Sequence, residues 1–262
     1  MLKNKNTLAH RRAALSLLSG LLLLLLLPFV GCAQPAPPAL WPQQLRFSRV
    51  RAAHAARWPM LQAALRAHDL DPARLEIFIR AFKIGRRVEV WGRELGGGNA
   101  FVLLRHYELA GTSGTLGPKL RAGDLQIPEG LYRIDRLNPS SRFHLSLGLN
   151  YPTAADRART QLAGADDPGG DIFLHGGAAT IGCLPITDAG IEEVYLLAVA
   201  ARASGQAHIA VHIFPFELTA DELNRRGAGS VHHGYWLGLL PAYARFARTH
   251  QLPPDSAAVA RR

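Results

Sequence analysis

Hydropathy along the chain changes period several times, and each change marks an element. "LEIFIRAF" (75–82) alternates, with Leu75, Ile77, Ile79 and Ala81 on one face, which predicts a strand. "RRVEVWGR" (86–93) and "NAFVLLRHYEL" (99–109) predict two more strands, joined through Gly96-Gly97-Gly98. That glycine run is read as a hairpin turn: no GK[ST] follows it and it links strand to strand. A turn-rich stretch from 111 ends in the strand-like "GLYRI". "FHLSLGLNYP" (143–152), "DIFLHG" (171–176) and "AHIAVHIFPF" (207–216) complete the apolar strand segments, the last with Ile209, Val211 and Ile213 inward.

Helical spacing holds from Ser48 to Leu70. It is interrupted at Trp58-Pro59, because proline disfavours the α conformation in the residue before it, so two short helices are predicted. After residue 183 the period changes again. Ile191, Val194, Tyr195 and Ala198 form one stripe, with Asp188 as the expected cap and Gly205 as the stop. Thr219 and Glu222 predict a capping box, and 234–250 reads as helix despite Pro241. Residues 154–170 are polar and read as loop. The expectation is an α+β, mostly β fold: a β-rich domain over 71–216, a helical lead-in over 45–70 and a helical extension over 217–262.

The N-terminus reads as an address. Lys3, Lys5, Arg11 and Arg12 precede an apolar run with seven leucines from Leu21 to Leu27. A basic start, an apolar core and a small-residue exit predict a secretory signal over 1–33. Phe29-Val30-Gly31-Cys32 resembles a lipobox, which makes Cys32 a lipidation candidate and a lipid anchor one expected membrane partner. Cleavage after Ala33 and an uncleaved anchor are the alternatives. "AQPAPPALWP" then predicts a Pro-rich tether over 34–44. The formal net charge is +10, with four of the positive charges inside the signal. The remaining arginines are scattered. No groove-reading motif accompanies them, so nucleic acid is not an expected partner.

Compartment sharpens the chemistry. The chain has two cysteines, and once Cys32 is lipidated or removed Cys183 stands alone. An unpaired thiol in an oxidising compartment is either buried and inert or reactive. "FLHGGAATIGCLP" puts His175 at a strand end, eight residues before Cys183, with Gly176, Gly177 and Gly182 between them. That spacing lets a chain leave a strand, turn and return, bringing imidazole and thiol together as nucleophilic catalysis requires. Backbone N–H groups at Gly182 and Cys183 are candidate oxyanion donors. By spacing alone a structural role is the commoner outcome of such a pattern. His208 and His212 lie about 13 Å apart along a strand and cannot share an ion. With no HExxH or CxxC, neither a metal nor any other cofactor is expected.

"HGGAATIGCLPITD" resembles the active-site segment of the L,D-transpeptidase (YkuD-type) family, and most closely its YafK-like branch. "VEVW", "YELAGTSGTLGPKLRAGDLQIPEGLYRI", "LGLNYPTAADRA" and "PFELTADELNRR" extend the likeness over about residues 70 to 250. The resemblance implies a β-sandwich or barrel-like catalytic domain exported to the envelope and acting on peptidoglycan stem peptides. In it Cys183 matches the nucleophile and His175 the general base, and Gly176, Thr180 and Gly182 match framing positions. Lys119, Arg142, Asn150 and Tyr151 are candidate substrate contacts. Many members carry histidine and arginine where this chain has Ile181 and Pro185. Both changes fit the YafK-like branch, one member of which releases a wall-bound outer-membrane lipoprotein. That makes such a lipoprotein a candidate partner and favours hydrolysis over cross-linking. A peptidoglycan-binding lipoprotein without catalysis is the rival from another class.

Overall fold

The computed structural model describes residues 39–253. The expected signal, Cys32, the first part of the tether and the last nine residues lie outside that range. The order is α1 (Leu40–Gln44), α2 (Ser48–Arg66), a 3-10 turn (Pro72–Arg74), β1 (Leu75–Phe82), β2 (Arg87–Glu94), β3 (Val102–Glu108), β4 (Gly130–Ser141) and β5 (His144–Leu149). Then come α3 (Ala154–Leu162), β6 (Phe173–His175), β7 (Leu184–Pro185), α4 (Thr187–Ala203), β8 (Ile209–Phe214), α5 (Ala220–Gly227) and α6 (His233–Thr249). The strands form one curled sheet in the order β3-β2-β1-β8-β4-β5-β6-β7. β1 with β8 and β6 with β7 run parallel, and the other neighbours antiparallel. This is the α+β architecture expected, with helices before, between and after the strands.

β1 shows why the sheet needs helices on both sides. Ile77, Ile79 and Ala81 face a core shared with Val50, Leu61 and Leu65 of α2 and Ile191, Val194 and Tyr195 of α4. Phe78 and Phe82 face the other way, against Phe246 and Tyr243 of α6. Arg80 lies on that second face, buried, ion-paired to Glu89 at 2.7 Å. Its guanidinium carbon is 5.0 Å from the Phe246 ring centroid and 5.3 Å from that of Trp91. Planar, weakly hydrated guanidinium suits such an aromatic box.

Three expectations are corrected. α2 is one helix through Pro59, not two. Pro59 and Ala55, whose carbonyl loses its partner there, are both exposed, so water satisfies the oxygen and the helix continues. Residues 40–44, expected in the tether, form α1, and Gln44 accepts a hydrogen bond from the buried Tyr195 hydroxyl at 2.6 Å. Residues 154–162, read as loop, form α3, capped by a reciprocal box between Thr153 and Asp156. The Thr219 hydroxyl accepts from Glu222 N–H, but Glu222 turns its carboxylate to Arg225 and Arg226 instead of back to the cap.

Candidate active site

His175 ends β6, between β5 and the two-residue β7. Antiparallel pairing with Ser146 and parallel pairing with Pro185 fix its backbone from both sides. Its side chain is 1% exposed. Phe143, in the β4–β5 turn, covers the ring at a centroid distance of 4.6 Å. Nδ1 lies 2.6 Å from the Gly176 carbonyl oxygen. A carbonyl only accepts, so Nδ1 carries the hydrogen and Nε2 keeps its lone pair. Burial lowers the imidazole pKa below its ordinary 6.5, with the Gly176 contact pushing the other way. The ring is neutral at pH 7, a base with an open nitrogen.

The glycine excursion is sterically fixed. A Cβ on Gly176 would stand 2.4 Å from Asp188 Oδ1 and 2.8 Å from the Phe143 carbonyl oxygen. Gly182 has φ +133°, and a Cβ there would meet the Gln126 carbonyl oxygen at 2.9 Å. Asp188, expected as a helix cap, accepts Gly177 N–H at 2.9 Å instead, and so pins the loop to the start of α4. The first turn of α4 is closed by Thr187 Oγ1, which accepts Gly190 N–H.

β6–β7 pairing sets Leu174 opposite Leu184. Cys183 immediately precedes β7. Continuing the parallel register by one residue would set it beside Phe173, with its Cα about 8 Å from that of His175. The thiol here is turned away: Sγ donates to the Asp171 carbonyl oxygen at 3.6 Å and makes no hydrogen bond to the imidazole. Burial raises the thiol pKa above its ordinary value near 9.0. Phe173 N–H and the Lys119 ammonium pull it down, while the Asp171 carboxylate pushes it up. The resting pair is neutral thiol and neutral imidazole, so the proton must move during attack.

Thr180 organises the turn that leads into Cys183. Its Oγ1 accepts Gly182 N–H at 3.1 Å and Cys183 N–H at 2.8 Å, and donates to the Cys183 carbonyl oxygen at 2.8 Å. This corrects the oxyanion expectation, because both amides are already engaged by a hydroxyl. Thr180→Ala will cost about 1–3 kcal/mol in urea unfolding, since it strands buried groups, whereas Thr180→Ser will keep most of that stability. Equal stability of the two variants would mean that water replaces the hydroxyl.

The other candidates scatter. Lys119 is buried, ion-paired to Asp124 at 2.6 Å and donating to the Arg121 carbonyl, so it is not free to grip a substrate carboxylate. Asn150 pins β4 to β5 by accepting Arg133 N–H at 2.8 Å. Tyr151 is buried, its hydroxyl on the Pro168 and Lys119 carbonyls. Both are structural. Arg142 alone of the four remains exposed, one residue from the ring that covers His175, with no ion pair among the described residues. Sequence reasoning missed Phe143, Asp171 and Gln126, which reach the site through pairing that no local pattern encodes. Among the described residues, no group of three or more His, Cys, Asp or Glu side chains could hold a metal.

The segment that packs on Gly182 is tied to α6. Glu129 is fully buried. It pairs with Lys83 at 3.0 Å, accepts Gly117 N–H at 2.7 Å and accepts the Trp236 indole N–H at 2.8 Å. Lys83 also donates to the Gly117 and Ile127 carbonyls. The segment from Gly117 to Glu129, which includes Gln126 at Gly182, is therefore held between β1 and α6.

An α+β sheet with a glycine-framed His–Cys segment at the end of β6 is the arrangement that the sequence resemblance implied. No family model matches the chain. Among curated proteins it is 33% identical over 182 residues to "Putative L,D-transpeptidase YafK" of Escherichia coli (strain K12), covering 69% of this chain and 70% of that protein. The same figures hold for the protein of that name in Escherichia coli O157:H7. This places the chain in a class: it belongs to the L,D-transpeptidase family. Within that family it is a relative of the YafK proteins. Among solved structures, the helical cell shape determining protein Pgp2 of Campylobacter jejuni aligns with TM-score 0.42 and 20% identity, over 55% of this chain and 49% of Pgp2. Bd1075 of Bdellovibrio bacteriovorus aligns with TM-score 0.38 and 18% identity, over 65% of this chain and 58% of that one.

Proposed function

We propose that this protein is an exported cell-envelope enzyme that attacks peptidoglycan stem peptides at the carbonyl of the L-centre of diaminopimelate. The observation that carries the reading is His175: buried, neutral, its Nδ1–H held by Gly176 and its Nε2 without a partner among the described residues, on the strand that pairs with β7 just after Cys183. The thiol rotates from Asp171 toward Nε2 and gives up its proton, and the thiolate adds to the carbonyl. The amide nitrogen leaves as an amine with the proton from the imidazolium, and a thioester remains. Water, deprotonated by His175, then releases the acid and restores the thiol. On this reading the amine is the C-terminal lysine of a wall-bound lipoprotein, and the reaction is hydrolysis. Transfer to another amine is the second reading, favoured by the transpeptidase name of the E. coli relative.

The test incubates purified protein with lipoprotein-linked and free tetrapeptide muropeptides, with products read by mass spectrometry. Cys183→Ala is expected to abolish product, and His175→Ala to lower the rate about 10²–10⁴-fold. Cysteine-dependent conversion of the stem to its free tripeptide acid establishes hydrolysis. New stem-to-stem dimers establish transfer. Binding to the wall with no product under either condition refutes catalysis and leaves the docking role.

A further inference from the structure

We infer that the carboxylate of Asp171 is the specificity-determining residue of this groove: it recognises a free ammonium on the substrate's diamino acid, so the site selects stems whose side-chain amine is unacylated. The inference rests on the stem-peptide reading above and narrows its substrate class.

Three features of one residue converge. The first is position. The Asp171 backbone carbonyl touches the nucleophile, accepting from Cys183 Sγ at 3.6 Å. The carboxylate is therefore one short side chain away from the reacting sulfur. The second is availability. The side chain is 86% exposed. Arg136 Nη2 reaches only Oδ1, at 2.8 Å, and Oδ2 has no partner among the described residues. A carboxylate offers about four lone-pair sites, so one guanidinium contact leaves room for an ammonium. Arg136 is itself held over the Phe173 ring at 4.7 Å, which fixes the carboxylate's direction from a residue beside Cys183.

The third feature is cost. Asp171 has φ +54°, in the left-handed region that a side-chain-bearing residue occupies with strain, directly after Gly169-Gly170. Its charge also works against the chemistry, since it disfavours the thiolate. A strained residue whose charge hinders its own nucleophile is accounted for by what that charge attracts. Diaminopimelate carries a second amino group a few bonds from the carbonyl under attack. In a monomeric stem that group is an ammonium, and in a stem cross-linked through it the charge is gone.

The experiment uses two stems, each with the lysine of the proposed reaction amide-linked at the L-centre of diaminopimelate, that differ only in the diamino acid's own amine, free or acetylated. Binding to the Cys183→Ala protein is measured by calorimetry, and turnover with the intact nucleophile. Acetylation is expected to weaken binding about tenfold. Cys183→Ala/Asp171→Asn is expected to bind both peptides alike, at the weaker level, and Asp171→Glu to recover part of the preference. Equal binding of both peptides to Cys183→Ala, no binding of either, or a preference that survives Asp171→Asn overturns the inference. Turnover separates the two ideas. Product formed without preference removes Asp171 from recognition and leaves the chemistry standing. Preference in binding with no cysteine-dependent product removes the chemistry and leaves the recognition.

Discussion

Glu129→Ala will destabilise the protein by about 3–5 kcal/mol, because it leaves the Lys83 ammonium buried without a counter-charge. The loss includes the bonds to Gly117 N–H and the Trp236 indole. Burial already lowers the Lys83 pKa against the pull of Glu129, so it will fall further in the variant. Urea unfolding at neutral pH measures the loss. A double replacement, Lys83→Met with Glu129→Leu, will cost less than the single one, since no charge is then stranded. A single variant within 1 kcal/mol of the parent would mean that water reaches the pair.

The second large effect is on acid stability. His212 in β8 is fully buried between the Phe78 and Phe214 rings, and its Nδ1 has no partner. Burial first, and the Arg80 charge second, lower its pKa to about 3. The unfolded chain takes up this proton below pH 6.5, and the folded chain does not until about pH 3. Stability is thus fully present at neutral pH and lost as pH falls through that window. Integrated over the shift, the loss is about 4–5 kcal/mol. Glu89, whose pKa is lowered, acts in the same direction at the acid end of the window. In His212→Leu the dependence of unfolding free energy on pH between 6.5 and 4 should shrink to what remains from His54, His175 and His208, whose pKa values burial also lowers, and from Glu89. An unchanged slope would show that His212 is protonated in the fold.

What was legible in the chain was local. Period-two alternation located β1, and the 3.6-residue stripe located α4. The glycines around His175 and Cys183 marked a loop with no room for side chains, and the contacts at Gly176 and Gly182 show why. What escaped depends on partners far away in sequence. β1 looked one-faced because Arg80 is charged, yet aromatic rings from β2 and α6 bury it. Pro59 looked like a break, and exposure made it harmless. Lys119 looked like a surface charge or a substrate grip, and the fold buries it against Asp124. Asp171 carried no motif, and reaches the thiol only because β7 returns beside β6.

The place of β8 has a consequence for how the molecule assembles. Among the described residues β8 is the last strand, but it lies in the middle of the sheet, between β1 and β4. Until residues 209–214 exist, β1–β3 and β4–β7 are two separate pieces, each with a raw edge. Joining them closes loops of more than a hundred residues on one side, a non-local step of the kind that makes folding slow. A chain ending before Ile209 would contain His175 and Cys183 but could not hold them on a continuous sheet. The segment with His175 and Cys183 is written before the strand that unites the two halves beneath it, so the pair can be assembled only after residues 209–214 have been made.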